Sequence, residues 1–212
     1  MTADETGSVP VVTVLTDRVQ AERASRGIDT VVAAALDAGA GAVLLRERDL
    51  PAAERRRLAE RLRSATRAHG SELWVAGDAG LASAVGADGV HLAADQAWPT
   101  APGVRVGRSC HTVAELVIAR DDGAARVTYS PVYPTASKPG YGPALGPDGL
   151  AAGCAAVPGL PVIALGGIEP GRARACRDAG AAGVALMGAV MRADDPGAVV
   201  RSVIDELRRA HA

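Results

Sequence analysis

Two glycine-containing stretches in the last third of the chain are suited to binding an anion. They are ALGGIEP, which begins at Ala164, and ALMGAV, which begins at Ala185, and each continues an apolar run. Gly166, Gly167 and Gly188 let backbone N–H groups approach an oxyanion closely, because glycine has no Cβ. Either stretch alone is more often a tight turn. On two neighbouring strands, however, the pair predicts a phosphate-binding site.

The chain's only lysine, Lys138, lies in a stretch rich in Pro, Gly and hydroxyl side chains, YSPVYPTASKPGYGP, at residues 129–143. Thr135 and Ser137 add two hydroxyl donors to the ammonium group, a combination that suits a bound anion. The alternative is a solvated turn set by the Pro-Gly pair after the lysine. Residues 130–147 are longer than a simple connection, and loops of this length are often lids or binding loops.

His111 is the best candidate for acid–base chemistry. In SCHTVAEL, Thr112 and Glu115 have the spacing of a capping box, so a helix should begin directly after His111. The positive end of a helix dipole disfavours an imidazolium, so a neutral ring able to accept a proton is expected. The alternative is an ordinary residue packed against the first helical turn. The other histidines lie at predicted helix ends or inside a strand (His69, His211 and His91).

Eight short apolar runs alternate with segments of helical spacing. The runs begin at Val11, Ala42, Glu72, Asp88, Val104, Arg126, Pro161 and Ala182. The clearest helical segments cover 28–37, 52–69, 112–121, 149–156, 171–178 and 198–210. Nearly continuous hydrophobicity in the runs indicates parallel strands covered on both faces.

This alternation predicts an α/β fold, a single-domain (β/α)8 TIM barrel over residues 11–212, with residues 1–10 as a flexible tail. A doubly wound open sheet is the alternative, but it usually has only five or six strands. In a barrel, chemistry belongs to the loops after the carboxyl ends of the strands. That rule selects seven stretches, one after each strand from the second to the eighth: RERD (46–49), GD (77–78), AADQ (93–96), RSCH (108–111), the Lys138 loop, GGI (166–168) and MGA (187–189).

The amino-acid composition of the chain limits the kinds of partner that it is expected to bind. The net charge of −1 lacks the basic excess of a general nucleic-acid binder, and no run approaches the roughly 18 apolar residues of a membrane span. The polar, acidic start has no signal-peptide pattern, which favours a cytoplasmic location. Three widely spaced cysteines argue against a disulfide framework or a zinc cluster. A small-molecule partner is therefore expected, and a homo-oligomer stays open.

The motifs as a set resemble the thiamine phosphate synthase and thiazole tautomerase superfamily, over residues 11–210. They are LLRERD, GDAGLASAVGADGVHL, VGRSCHT, SPVYPTASKPGYG, VIALGGI and GVALMGAV. The resemblance implies that a phosphorylated thiazole is bound by residues at several loops, namely Arg46, Arg48, Ser109, Thr135, Ser137, Lys138, Gly166, Gly167, Met187 and Gly188. The RER and GRSxH[ST] motifs resemble the tautomerase branch more closely, and there the histidine, here His111, is the acid–base residue.

The part of the pattern that handles a diphosphate in the synthases is altered. The synthase motifs read Gln-Leu-Arg-x-Lys and Asn-Asp, and a second Asp after the fourth strand completes a magnesium site. This chain has Leu44 for the Gln, Arg48 for the Lys, Gly77 for the Asn and Gln96 for the second Asp. Magnesium prefers several oxygen ligands in octahedral order. Asp78 would therefore serve as a metal ligand only if the chain is a synthase.

The resemblance leaves three hypotheses. The first is a cofactor-free thiazole tautomerase, which aromatises the carboxythiazole ethyl phosphate made by thiazole synthase through a proton shift. The second is thiamine phosphate synthase, which joins hydroxymethylpyrimidine diphosphate to thiazole phosphate with Mg²⁺. The third is a non-catalytic sensor of a phosphorylated ligand on the same scaffold. We expect the first, because the phosphate-binding half of the pattern is kept and the metal-binding half is not.

Overall fold

A computed structural model describes residues 11–99, 103–135 and 143–208. Eight parallel strands close into a barrel in sequence order, with the first strand paired to the last. The predicted (β/α)8 barrel is therefore confirmed. The expected tail at residues 1–10 lies outside the described residues, as do Ser137 and Lys138.

All eight predicted strands are present, each within a residue or two of its predicted start. They are β1 (Val12–Leu15), β2 (Ala42–Leu45), β3 (Glu72–Ala76), β4 (Gly89–Leu92), β5 (Arg105–Cys110), β6 (Arg126–Tyr129), β7 (Val162–Leu165) and β8 (Gly183–Leu186).

Nine helices are found in the described residues. They are α1 (Arg18–Arg23), α2 (Ile28–Asp37), α3 (Ala52–Ala68), α4 (Ala79–Ala84), α5 (Val113–Asp121), α6 (Gly146–Ala156), α7 (Ala173–Asp178), α8 (Gly188–Met191) and α9 (Pro196–Arg208). The six predicted helices correspond to α2, α3, α5, α6, α7 and α9. The end predicted for the last helix falls partly outside the described residues. None of these helices is both long and apolar enough to cross a membrane.

The start predicted for α6 was wrong by three residues. The helix begins at Gly146 because Pro147 fits the first turn, where a missing N–H costs no hydrogen bond. Three short helices, α1, α4 and α8, were not predicted. They have six, six and four residues, too few for a helical period to stand out.

Two apolar layers hold the barrel. On β2, Ala42 and Leu44 point into the barrel with Trp74, whereas Val43 and Leu45 pack outward under α2 and α3. The strand is buried on both faces, which explains its unbroken hydrophobic run.

At the amino end of the barrel, the ring of Trp74 packs against the buried guanidinium of Arg126. Arg126, 4% exposed, lies 3.7 Å above the centroid of the Trp74 ring. A side chain at Gly89 would overlap that ring, so glycine leaves the space the indole occupies. This plug fills the amino end and leaves the carboxyl end as the open one.

Candidate functional site

A cavity of about 570 Å³ opens at the carboxyl ends of the strands. Its walls bring together most of the residues predicted for the site: Arg46, Arg48, Ser109, His111, Thr135, Gly166 and Met187. A smaller cavity of about 90 Å³ adjoins it and adds Gly167, Gly188 and Arg192. Thr135, Gly166 and Met187 line both cavities. The predicted site residues that the structure describes thus lie around one continuous mouth.

His111 is held in one orientation at this mouth. Thr112 and Glu115 form the predicted capping box at the start of α5, and the Glu115 carboxylate also accepts from the His111 backbone N–H. The ring Nδ1 lies 2.9 Å from the Ser130 carbonyl oxygen. The Ser130 hydroxyl oxygen is also 3.3 Å from Nδ1. Because the nearer carbonyl oxygen can only accept, this geometry favours the neutral tautomer with the hydrogen on Nδ1 and with Nε2 as the basic nitrogen. This tautomer gives the cavity a proton acceptor.

A second histidine, His91, supports the cavity wall from inside the barrel. Its Nε2 is 3.1 Å from Ser109 Oγ and 3.2 Å from Thr128 Oγ1, whereas its Nδ1 is buried without a hydrogen-bond partner. Burial, and then the charge of Arg126, lower the pKa of His91 to about 3. The ring is therefore neutral and serves as a fixed hydrogen-bond partner for two hydroxyls of the cavity.

The backbone of the loop after β7 requires glycine at two positions. Gly166 and Gly167 have φ values of +100° and +63°, in the region that disfavours other residues. A Cβ on Gly166 would lie 2.8 Å from Pro131 Cα, and one on Gly167 would lie 2.8 Å from the Tyr133 carbonyl oxygen. The β7 loop therefore packs directly against the loop after β6, which carries Thr135.

Arg192 was missed by the sequence analysis. It follows α8, lines the smaller cavity, and its guanidinium covers the Cα of Gly188 so closely that a Cβ there would overlap it. It also donates a hydrogen bond to the Gln20 side chain. Nothing in the sequence distinguished this arginine from the many on helix surfaces. It brings a positive charge to the predicted phosphate loops.

Arg46 is anchored beside the same loops. Its backbone N–H donates to Thr16 Oγ1 over 2.9 Å, and its guanidinium Nη1 contacts the Met187 sulfur. The side chain is thereby fixed next to the carboxyl end of β8.

The chain was compared with known proteins. The family model for thiamine monophosphate synthase matches residues 13–190. The chain belongs to this family. It is 44% identical to the thiamine biosynthesis bifunctional protein ThiM/ThiE of Symbiobacterium thermophilum over 186 residues, which are 85% of this chain but only 38% of that longer protein.

Two other similar proteins match over nine tenths or more of both chains. A putative thiamine-phosphate synthase of Geobacter sulfurreducens is 40% identical over 90% of this chain and 91% of its own. The solved thiamine phosphate pyrophosphorylase of Pyrococcus furiosus superposes with a TM-score of 0.82 at 29% identity, over 92% of this chain and 94% of that one. These names support the superfamily and favour the synthase. The expected closeness to the tautomerase branch remains a prediction.

The residues of the synthase magnesium site are only partly matched in this chain. Asp78 caps α4 by accepting from Leu81 N–H over 2.8 Å, and its other oxygen is 3.3 Å from Arg55 Nη1. Arg55 is 8% exposed and also donates to the Ala76 carbonyl oxygen. Within the described ranges, no three His, Cys, Asp or Glu side chains are grouped as metal ligands. Each Asp78 oxygen accepts from a protein donor, and the position of the second carboxylate holds Gln96, a neutral ligand. Asp95, one residue earlier, lines the 570 Å³ cavity.

Two other ionisable side chains near the strand ends, those of Cys110 and Glu47, have pKa values raised by burial. Cys110 is buried, and burial raises the pKa of its thiol to about 12, which disfavours the thiolate that a nucleophile needs. Glu47 is 5% exposed, and burial raises the pKa of its carboxyl. It accepts from the Arg18 backbone N–H. It also lines a third cavity, of about 720 Å³ beside α1, which shares Arg46 and Arg48 with the 570 Å³ cavity and Arg192 with the 90 Å³ cavity. The sequence placed Glu47 in the loop after β2 but assigned it no role, because its burial depends on the fold of α1.

Proposed function

We propose that this protein aromatises the carboxythiazole ethyl phosphate made by thiazole synthase, through a proton shift catalysed by His111. The observation that carries this proposal is the position of His111: its Nδ1 lies 2.9 Å from the Ser130 carbonyl oxygen, which favours the tautomer with Nε2 as the basic nitrogen, and the residue lines a cavity beside two glycine loops. The membership in the thiamine monophosphate synthase family supports a phosphorylated thiazole as the ligand.

The phosphate of the substrate would bind in the smaller cavity. Backbone groups of the Gly167 and Gly188 loops face it, and Thr135 and Arg192 line it with a hydroxyl and a cation. The thiazole ring would then extend into the 570 Å³ cavity toward His111. This arrangement places the base and the phosphate on different loops, so that each can be altered separately.

The reaction needs one group that takes a proton and returns it. Nε2 of His111 removes the proton from the ring carbon that bears the carboxylate, and the imidazolium then gives a proton to the exocyclic vinylic carbon. The electrons of the broken C–H bond enter the ring and make it aromatic, and no atom is lost or gained. The Ser130 carbonyl accepts from Nδ1–H in both states and so stabilises the transient positive charge.

Thiamine phosphate synthase is the second candidate, and the names of the relatives favour it. That reaction uses Mg²⁺ with a pyrimidine diphosphate. The engagement of Asp78 by Arg55 and Leu81, together with Gln96 in place of a carboxylate, argues against that metal site in this chain. A non-catalytic sensor of a phosphorylated ligand is the third candidate, and turnover of any thiazole phosphate would exclude it.

Two parallel assays of the purified protein separate these functions. One mixture contains freshly made thiazole synthase product and EDTA, and aromatisation is followed by ultraviolet absorbance. The other contains thiazole phosphate, hydroxymethylpyrimidine diphosphate and Mg²⁺, and pyrophosphate release is measured. We expect turnover in the first mixture only. Pyrophosphate release without aromatisation would establish the synthase instead.

A further inference from the structure

The peptides on either side of Gly167 have both of their carbonyl oxygens engaged by the protein. The Gly166 carbonyl oxygen accepts from the Tyr133 backbone N–H over 3.0 Å, and the Gly167 carbonyl oxygen accepts from Arg172 Nη1 over 2.6 Å. Both peptides are trans, so each N–H points opposite to its C=O. The N–H groups of Gly167 and Ile168 are therefore turned away from Tyr133 and Arg172. Neither N–H donates to another residue in the described part of the chain.

The Arg172 side chain is held between the β6 and β7 loops by contacts that form a closed ring. Its guanidinium lies 5.1 Å from the centroid of the Tyr133 ring, within the range of a cation–π contact. The Tyr133 hydroxyl and the Cys176 thiol share a hydrogen bond, and the thiol donates to the Arg172 carbonyl oxygen over 3.5 Å. The ring closes at Gly167, whose carbonyl oxygen accepts from the guanidinium.

The backbone around Arg172 is anchored by α9. The two carboxylate oxygens of Glu206 accept from the N–H groups of Gly171 and Ala173 over 2.5 and 3.1 Å. The side chain of Arg172 therefore reaches Gly167 from a fixed position. Arg172 is exposed and lines none of the three cavities described above, so its influence on a ligand there is indirect.

We propose that Arg172 is a positioning residue that fixes the peptide between Gly167 and Ile168, so that the Ile168 N–H faces the 90 Å³ cavity and donates to the phosphate of the ligand. Gly167 and Ile168 both line that cavity. The peptide needs this support because glycine accepts both signs of φ, which makes an adjoining peptide easier to turn over. The placement of the phosphate rests on the proposed function, and the role of Arg172 goes beyond it.

NMR of the protein carrying isotope-labelled isoleucine reports on the Ile168 N–H directly, with the peak assigned through Ile168→Val. Thiazole phosphate should shift this amide proton downfield in the wild type, as expected for a charge-assisted hydrogen bond. Arg172→Ala should fold normally, because the residue is exposed, and should lose most of the shift. It should also bind thiazole phosphate about tenfold less tightly, if the peptide then spends about a tenth of its time in the binding orientation.

Two matched variants separate positioning from a general effect of charge. Arg172→Lys keeps a donor for the Gly167 carbonyl oxygen and should recover most of the affinity. Arg174→Ala removes one positive charge from the same helix, where Arg174 pairs with Asp178, and should change neither the shift nor the affinity. The difference in affinity between the wild type and Arg172→Ala should also persist at about 1 M salt, which screens charges that act at a distance.

Three results would overturn the proposal. One is an Ile168 amide of the wild type that does not respond to thiazole phosphate. Another is an Arg172→Ala protein with wild-type affinity and an unchanged shift. The third is a loss of affinity that Arg174→Ala reproduces or that disappears at high salt. Failure of the aromatisation assay with an Arg172-dependent shift would refute the proposed function and leave the role of Arg172 standing.

Discussion

Gly167→Ala tests whether the loop after β7 binds the phosphate. The backbone at this position has a φ of +63°, and an alanine there costs about 1 to 2 kcal/mol. The new methyl group would also overlap the Pro134 carbonyl oxygen and lie 2.8 Å from that of Tyr133. Backbone atoms cannot rotate away, so the β6 and β7 loops must separate, at an additional cost of about 1 to 3 kcal/mol. The free energy of unfolding should therefore fall by about 2 to 5 kcal/mol, and the phosphate affinity at least tenfold.

Gly159→Ala is the matched control for this variant. Gly159 also has a positive φ, +84°, but it lies at the amino end of β7, and a methyl group there meets none of the described atoms within 4 Å. This control should lose about 1 to 2 kcal/mol of unfolding free energy with no change in ligand affinity. Urea denaturation gives the stabilities, and titration with thiazole phosphate gives the affinities. A folded Gly167→Ala protein with wild-type affinity would refute the assignment of this loop to the phosphate.

Three further predictions concern single side chains. His111→Ala and His111→Gln should both lower turnover about 10² to 10⁴-fold and leave thiazole phosphate affinity nearly intact; a parallel loss of affinity would mean a binding role instead. The pKa of His91 is lowered from 6.5 to about 3 in the folded protein. The neutral ring therefore contributes fully to the free energy of unfolding above pH 6.5, and this contribution is lost as the pH falls toward 3. His91→Gln should therefore remove up to about 1.4 kcal/mol per pH unit from the acid slope of the unfolding free energy, and an unchanged slope would contradict the neutral ring. Cys110, buried with a pKa near 12, should resist iodoacetamide at pH 8 while the protein is folded, and rapid labelling with loss of activity would contradict its assignment as inert.

The sequence was sufficient for the barrel because its signals are local. Each strand is a buried run of four to six residues, and the capping box of Thr112 and Glu115 needs only neighbouring positions. The glycines after β7 and β8 and His111 could be placed at one mouth because the fold brings every strand end to the same side.

The supporting contacts could not be predicted, because they join residues that are distant in sequence. His91 meets Thr128 across 37 positions, and Arg55 engages Asp78 across 23. Arg192 reaches the phosphate loops only because a four-residue helix turns it over Gly188. Side-chain rotamers and burial decide these contacts, and neither leaves a pattern in one sequence.

The central claim is that His111 moves a proton on a thiazole phosphate without a metal. The most direct measurement is the rate of aromatisation of freshly made thiazole synthase product in EDTA, with the wild type and His111→Ala side by side. We predict enzyme-dependent aromatisation by the wild type that is unaffected by EDTA and falls about 10² to 10⁴-fold in the variant. Equal rates for the two proteins, or a wild-type rate that disappears in EDTA and returns with Mg²⁺, would contradict the account.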